Sequence, residues 1–378
     1  MIVGGHFMKK LLSVFSLLLV VFALTACGNK NDANNNSGTN AEGGSASSST
    51  YELALITDVG TIDDKSFNQG AWEGLKQYAE EKKVSYKYYQ PAEKSTEAYI
   101  KTMKLAVEAG AKVIVCPGYL FEKAVFQEQT EYPDVKFILL DGQPHNADSS
   151  DMTITDNTYA VFYAEQEAGF LAGYAAVKEG YTKLGFMGGI AVPAVIRYGY
   201  GFVEGAEYAA KELGIDGVEI KYHYTGGFTA TPEAQATAAS WYNAGTEIIF
   251  ACGGGVGNSV MAAAETAGAK VIGVDVDQSP ESDTVITSAM KQLSVSVYDG
   301  IAAYYEGNFP GGKVVTLDAT SNAVGLPLET SKFTKFTQAD YDAIFKKLVD
   351  KEIVPSTQEA GDDVTKLPVE KVKVESVN

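Results

Sequence analysis

The chain has 378 residues, 46% of them hydrophobic and 21% charged, with 30 Lys+Arg against 48 Asp+Glu and a formal net charge of −18. That composition is globular, and at about 100–200 residues per domain the length predicts two domains. Arg197 is the only arginine, which argues against groove binding to nucleic acid, where clustered Lys and Arg must neutralise phosphates.

Lys9 and Lys10 precede an apolar run, Leu11 to Ala26, that ends in Leu24-Thr25-Ala26-Cys27-Gly28. A basic flank, an apolar core and small residues in that order predict an export signal over residues 1–26. The run is shorter than the roughly 20 residues a bilayer span needs. Its Leu-Thr-Ala-Cys-Gly ending resembles a bacterial lipobox, which implies cleavage before Cys27 and lipidation of that cysteine. Residues 1–7 then read as an upstream extension, with Met8 as the initiator. Removing 26 residues, Lys9 and Lys10 among them, leaves 352 residues at a charge of −20. Residues 27–50 are rich in Gly, Asn, Ser and Ala. They lack the apolar surface to offset backbone ordering and are predicted to be a flexible leash.

From Tyr51 onward, short β-rich runs alternate with amphipathic stretches. Strands are predicted at Tyr51–Thr57, Val84–Tyr89, Val113–Cys116 and Lys136–Leu140, with helices at Asn68–Lys82, Glu97–Ala109 and Leu120–Thr130 between them. After Met152–Thr155 a second series follows: strands at Lys183–Met187, Glu219–Tyr224, Glu247–Cys252 and Lys270–Val274, with helices at Ile196–Leu213, Pro232–Ala244 and Asn258–Ala267. Past Ile286 come a short strand, a helix at Leu293–Glu306, strands near Val314–Leu317 and Val324–Leu326, and a helix at Gln338–Asp350. Alternation of this kind predicts right-handed βαβ units and two doubly wound parallel-sheet lobes. The chain is expected to cross between lobes near Asp156, Ala289 and Leu317. That assigns 51–156 with 289–317 to an N-terminal lobe and 157–288 with 318–353 to a C-terminal lobe, leaving 354–378 as a loose polar tail.

The two series read as copies of one unit. Gly70-Ala71-Trp72-Glu73-Gly74 returns as Gly201-Phe202-Val203-Glu204-Gly205, Ala109-Gly110 as Ala244-Gly245, and Leu140-Asp141 as Val274-Asp275, at offsets of 131, 135 and 134. Two similar lobes would each present the carboxyl ends of their strands, the edge where open α/β sheets bind ligands, and the cleft between them becomes the candidate site.

Catalytic machinery is not visible. The three histidines are His6, His145 and His223, and neither a Gly-x-Ser-x-Gly elbow nor a His-Glu-x-x-His pair is present. Gly253-Gly254-Gly255-Val256-Gly257 mimics a dinucleotide fingerprint, but Asn258 stands where its third glycine belongs. A loop letting backbone approach an uncharged ligand is the better reading. Cys116 and Cys252 each end a β-rich run and read as buried small hydrophobes. Asp58, Asp141 and Asp275, with Asp277, end strands, where carboxylates either accept from ligand hydroxyls and base N–H groups or simply shape turns. Ser66-Phe67-Asn68-Gln69 reads as a helix start, with Ser66 as N-cap and Gln69 as its capping-box partner. That leaves Phe67 at one strand edge and Phe228, in a Gly-rich loop, at the other: one ring from each lobe for a planar ligand, or core. Lys291 could donate to a hydroxyl, and Arg197 either lines the cleft or pairs with an acid.

Thr57-Asp58-Val59-Gly60, Asp63-Asp64-Lys65-Ser66-Phe67-Asn68-Gln69-Gly70, Arg197-Tyr198-Gly199-Tyr200-Gly201-Phe202 and Ile272-Gly273-Val274-Asp275-Val276-Asp277-Gln278 resemble the basic membrane protein family of lipoproteins, in its purine nucleoside receptor branch. The resemblance implies a type I periplasmic-binding-protein fold with three crossovers and an interlobe cleft. It also implies a substrate-binding subunit of an ABC importer, tethered outside the cytoplasmic membrane by its lipid. Family stacking residues fall on Phe67 and Phe228, base contacts on Asp58 and Asp141 with Asn68 added, and ribose contacts on Gly254, Asp275 and Lys291. The implied partners are a purine nucleoside (guanosine, inosine or adenosine) and an ABC permease. A monomer without metal or cofactor is expected. Other readings stay open: a receptor for another small polar solute such as a sugar, a nucleoside hydrolase, or a surface signalling lipoprotein.

Overall fold

Runs such as Leu53–Ile56, Val113–Pro117 and Ile248–Cys252 are buried at every position. This is the pattern of parallel strands covered by helices on both faces. The computed structural model describes residues 50–58, 60–357 and 363–377. The predicted signal, Cys27 and the leash up to residue 49 lie outside the described residues.

The first half contains β1 (Leu53–Ile56), α1 (Phe67–Lys82), β2 (Tyr86–Tyr89), α2 (Thr96–Glu108), β3 (Val113–Pro117), α3 (Glu122–Glu131), β4 (Lys136–Leu140) and β5 (Thr158–Tyr163). Next come α4 (Glu165–Glu179), β6 (Lys183–Gly188), α5 (Pro193–Leu213), β7 (Val218–Tyr224), α6 (Pro232–Asn243), β8 (Ile248–Cys252), α7 (Val256–Ala267), β9 (Lys270–Asp275) and β10 (Val285–Lys291). The chain then adds α8 (Leu293–Tyr305), β11 (Lys313–Leu317), β12 (Val324–Gly325), α9 (Gln338–Val349) and β13 (Val372–Ser376). One sheet has the order β11-β5-β4-β3-β1-β2 and the other β12-β10-β9-β8-β6-β7-β13. Every pairing is parallel except β10 with β12.

Two of the expected crossings and the expected tail change here. The first crossing does not fall near Asp156, because β5 pairs with β4 in the first sheet, Phe137 opposite Thr158; the chain passes over after Tyr163. The second falls after Lys291 rather than Ala289, since β10 stays in register with β9 through Met290. The third follows Leu317, with β11 on β5 and β12 on β10. The tail from 354 was expected to be loose, but its residues Val372–Ser376 pair with β7, and the Glu207 carboxylate accepts the backbone N–H groups of Glu370, Lys371 and Val372. An edge strand with open backbone groups is a template for such an addition.

Helix α4 was not foreseen. Fourteen of its 15 residues are buried, so it has no polar face and no 3.6-residue period to read. It lies against α5 at a backbone distance that only glycine permits. A Cβ on Gly169 or Gly173 would stand 2.1 Å or 2.0 Å from the carbonyl oxygens of Tyr198 and Phe202, and one on Gly201 or Gly205 2.1 Å or 1.9 Å from those of Gln166 and Phe170. Gly74, the counterpart of Gly205 in the repeat, meets the Ser294 carbonyl of α8 at 2.2 Å in the same way. The repeated Gly-x-x-x-Gly is therefore a packing device: each copy seats one helix on its neighbour. Gly205→Ala is expected to cost at least the roughly 1–3 kcal/mol typical of overpacking, read as a lower Tm in thermal unfolding; an unchanged Tm would contradict the close crossing.

Candidate functional site

The carboxyl ends of both sheets open onto one cavity between the lobes, lined by Asp58, Phe67, Asn68, Asp141, Phe228, Gly254, Asp275 and Lys291 among others. All eight candidate residues thus converge from chain positions up to 233 apart.

On the N-terminal wall the capping differs from expectation. Ser66 makes no side-chain cap bond. Instead the Asp64 carboxylate accepts the backbone N–H groups of Ser66 at 2.9 Å, Asn68 at 3.0 Å and Gln69 at 3.1 Å, and Gln69 Oε1 accepts from Lys65 N. An aspartate reaching several free amides at a helix start is a stronger cap than a hydroxyl. Ser66 Oγ is thereby released to donate across the cleft to Asp275 Oδ2 at 2.5 Å. Asn68 spends its amide on the wall, donating to Asp58 Oδ1 and Asp64 Oδ2 at 2.9 Å each and accepting from Asp58 N. It holds Asp58 in place. Gly118, Tyr119 and Glu122 complete this side.

On the opposite wall, Phe228 follows β7. Its carbonyl accepts from Gly255 N at 2.9 Å, and Gly254 turns beneath it at φ +55°. A Cβ on Gly189 would sit 2.4 Å from the Phe228 ring, so that glycine makes the space the ring occupies. Asp277, which competed with Asp275 for a site role, accepts from Ser279 N and shapes the turn.

The repeat-related Asp141 and Asp275 both have left-handed backbones, φ +52° and +66°. Such conformations are rare for non-glycine residues and cluster at functional sites. Between these two aspartates lies a buried charge centre. Lys291 Nζ is 2.5 Å from Asp141 Oδ2, 3.0 Å from Glu165 Oε1 and 3.8 Å from Asp275 Oδ1, and it stands 4.8 Å from the Phe67 ring centroid. Arg197 pairs with an acid, its Nε 2.6 Å from Glu165 Oε2. Burial alone would lower Lys291, but Asp141, Glu165 and Asp275 outweigh it and hold the ammonium above its ordinary value. Burial raises Asp141 to about 7 against the pull of Lys291, and raises Asp275 likewise. Burial also acts on Glu165, yet Lys291 and Arg197 together hold it below the usual carboxylate range. Asp141 Oδ1 is buried with no hydrogen-bond partner among the described residues.

Sequence reading passed over Glu165, Glu122, Tyr119 and Tyr198. Glu165 left one trace, a carboxylate entering an otherwise apolar run; the others left none. Cys116 and Cys252 are buried and free, and Cys252 borders the cavity. Lys65 O accepts from Gln278 Nε2 at 2.6 Å. Together with Ser66 and Asp275, that contact brings the lobes together across the cleft.

Two α/β lobes joined by three crossings enclose a cavity of mostly apolar wall with several carboxylates and one ammonium set into it, an arrangement suited to holding a small solute. The Bmp family, described as ABC transporter substrate-binding protein PnrA-like, matches residues 51–359, and the chain belongs to it. It is 28% identical to "ABC transporter nucleoside-binding protein BmpA" of Lactococcus lactis, over 90% of this chain and 96% of that protein. It is 32% identical to "Basic membrane protein A1" of Borrelia garinii, over 82% and 90%. An ABC transporter solute-binding protein from Aeropyrum pernix superposes at TM-score 0.72 with 23% identity, over 82% of this chain and 94% of that one, and one from Conexibacter woesei at 0.65 with 21%, over 82% and 100%. At those identities the likeness concerns the fold, of the type I periplasmic-binding-protein kind. Membership makes the chain an ABC transporter substrate-binding protein, a family whose members bind substrates rather than transform them, and it implies a permease partner. Such proteins work outside the cytoplasm and are often membrane-anchored. Among the described residues no helix is long and apolar enough to cross a membrane.

Proposed function

We propose that this protein is a lipid-anchored receptor that closes its two lobes around a purine nucleoside and delivers it to an ABC permease. The observation that carries the reading is Phe67 and Phe228 from opposite lobes lining one cavity with the unpartnered Asp141 Oδ1. Two ring faces suit a flat base, and a buried acceptor without a partner suits a ligand donor, since leaving it unmade is costly. Asp58 and Asp141 accept from the base, with Asn68 acting by fixing Asp58. Gly254, Asp275 and Lys291 engage the ribose, the lysine as donor and the aspartate as acceptor for hydroxyls. Lobe closure is a population shift stabilised by contacts that need both lobes.

The lining carries the carboxylates of Asp58, Asp64, Glu122, Asp141 and Asp275 against the single ammonium of Lys291. That balance disfavours a phosphate. Guanosine, inosine or adenosine is expected to raise the Tm by several degrees, as tight binding to the folded state must, whereas the corresponding monophosphates are not. No response to any nucleoside, or a preference for nucleotides, would overturn the reading. Free base released from inosine would replace it with hydrolysis. For the anchor, Cys27→Ser is expected to release the protein from the membrane fraction.

A further inference from the structure

Three carboxylates of the first lobe line the cavity from segments that follow adjacent strands: Asp141 directly after β4, Asp58 two residues after β1, and Glu122 at the start of α3, five residues past the end of β3. All three belong to the wall that the first lobe contributes to the cavity. Asp58 gives Oδ1 to Asn68 and Gly60, and Asp141 gives Oδ2 to Lys291. Both oxygens of Glu122 have a protein partner: Oε1 accepts from Gln143 N at 3.0 Å and Oε2 lies 3.2 Å from His145 Nε2.

The histidine tautomer settles what Glu122 presents. His145 Nδ1 is 2.6 Å from the Asn146 carbonyl oxygen, which can only accept, and 3.0 Å from Ser149 Oγ, which can accept as well as donate, so a hydrogen on Nδ1 satisfies both contacts. Nε2 then faces the carboxylate either as N–H or through a proton on Oε2. In both arrangements that proton lies on the side of Glu122 turned to His145. The lone pairs turned to the cavity remain acceptors.

We propose that Glu122 reads the base and makes the cavity select a 2-amino-6-oxopurine nucleoside, guanosine, over adenosine; this rests on the nucleoside reading above. Guanine presents N1–H and the 2-amino group side by side, two donors for a wall that carries several carboxylate acceptors. Hypoxanthine offers N1–H alone. Adenine sets an unprotonated N1 beside its amino group, and that nitrogen facing a carboxylate is repelled, which discriminates by penalty as well as by gain.

Calorimetric titration of guanosine, inosine and adenosine into the wild type, Glu122→Gln and Glu122→Ala tests it. The wild type is expected to bind guanosine at least tenfold more tightly than adenosine, and both variants to lose most of that ratio through weaker guanosine binding. Adenosine binding serves as the check that each variant is folded. Nucleoside binding with an unchanged guanosine-to-adenosine ratio in the variants, or an equal loss for both nucleosides, overturns the role of Glu122 and leaves the nucleoside reading intact. A wild type that binds no nucleoside overturns both.

Discussion

Phe228→Ala is expected to weaken purine nucleoside binding by about 10- to 100-fold, because stacking a base on an aromatic ring contributes about 1–3 kcal/mol. The ring is half-buried in a loop and packs against the edge of the main core. Its loss should therefore lower the unfolding temperature only modestly. Phe67→Ala should act on binding in the same direction, with an added effect through the ammonium of Lys291 lying 4.8 Å from its ring centroid. Titration calorimetry on each variant separates the two. Unaltered nucleoside affinity in Phe228→Ala would refute the aromatic sandwich.

Lys291→Met is expected to have the largest effect on stability. It removes the ammonium that Asp141, Glu165 and Asp275 share. Removing one partner of a buried ion pair typically costs about 3–5 kcal/mol because the other charge is left uncompensated. Arg197 still partners Glu165 in this variant, so the burden falls on the two aspartates. The pH dependence follows from their direction of shift. Burial already raises Asp141 to about 7 and raises Asp275, and losing the lysine raises both further. A carboxyl raised on folding binds its proton more tightly in the folded than in the unfolded state, so stability falls as pH rises from its unfolded value through its folded one. The deficit should be greatest above about pH 7 and shrink as the pH falls towards the ordinary carboxylate range. Chemical denaturation of wild type and variant at pH 5 and pH 8 checks this; a deficit independent of pH would mean that Lys291 is not the counter-ion of these groups.

The charge centre also links the cavity to the connections between the lobes. Lys291 ends β10, where the chain passes into the first lobe, while Glu165 opens α4, just after the earlier crossing at Tyr163. Two of the three connections between the lobes therefore carry charged residues of one cluster, and Asp141 joins it from the first sheet.

Much of this was legible from local pattern alone. Alternation of β-branched runs with amphipathic stretches specifies parallel α/β lobes, because strand and helix periods differ and both survive in the residue order. The offset of 134 between Asp141 and Asp275 marked two positions that the fold places symmetrically, each with a left-handed backbone. Strand-end residues could be chosen as a group because in doubly wound sheets that edge is where ligands bind. What the residue order lacked was any signal for groups whose partners are distant or whose surroundings are uniform. Helix α4 is buried on nearly all sides and has no period. Ser66 looked like a cap, since its local spacing fits one, but Asp64 takes that role and Ser66 meets Asp275, 209 residues away. Val372–Ser376 looked like a tail until β7 offered an open edge. The sequence by itself determined most of the alternating elements and the strand edge that lines the cavity; only the tertiary structure decided which carboxylate each cation meets, because ion pairing and close helix crossing depend on distances between segments that no local period encodes.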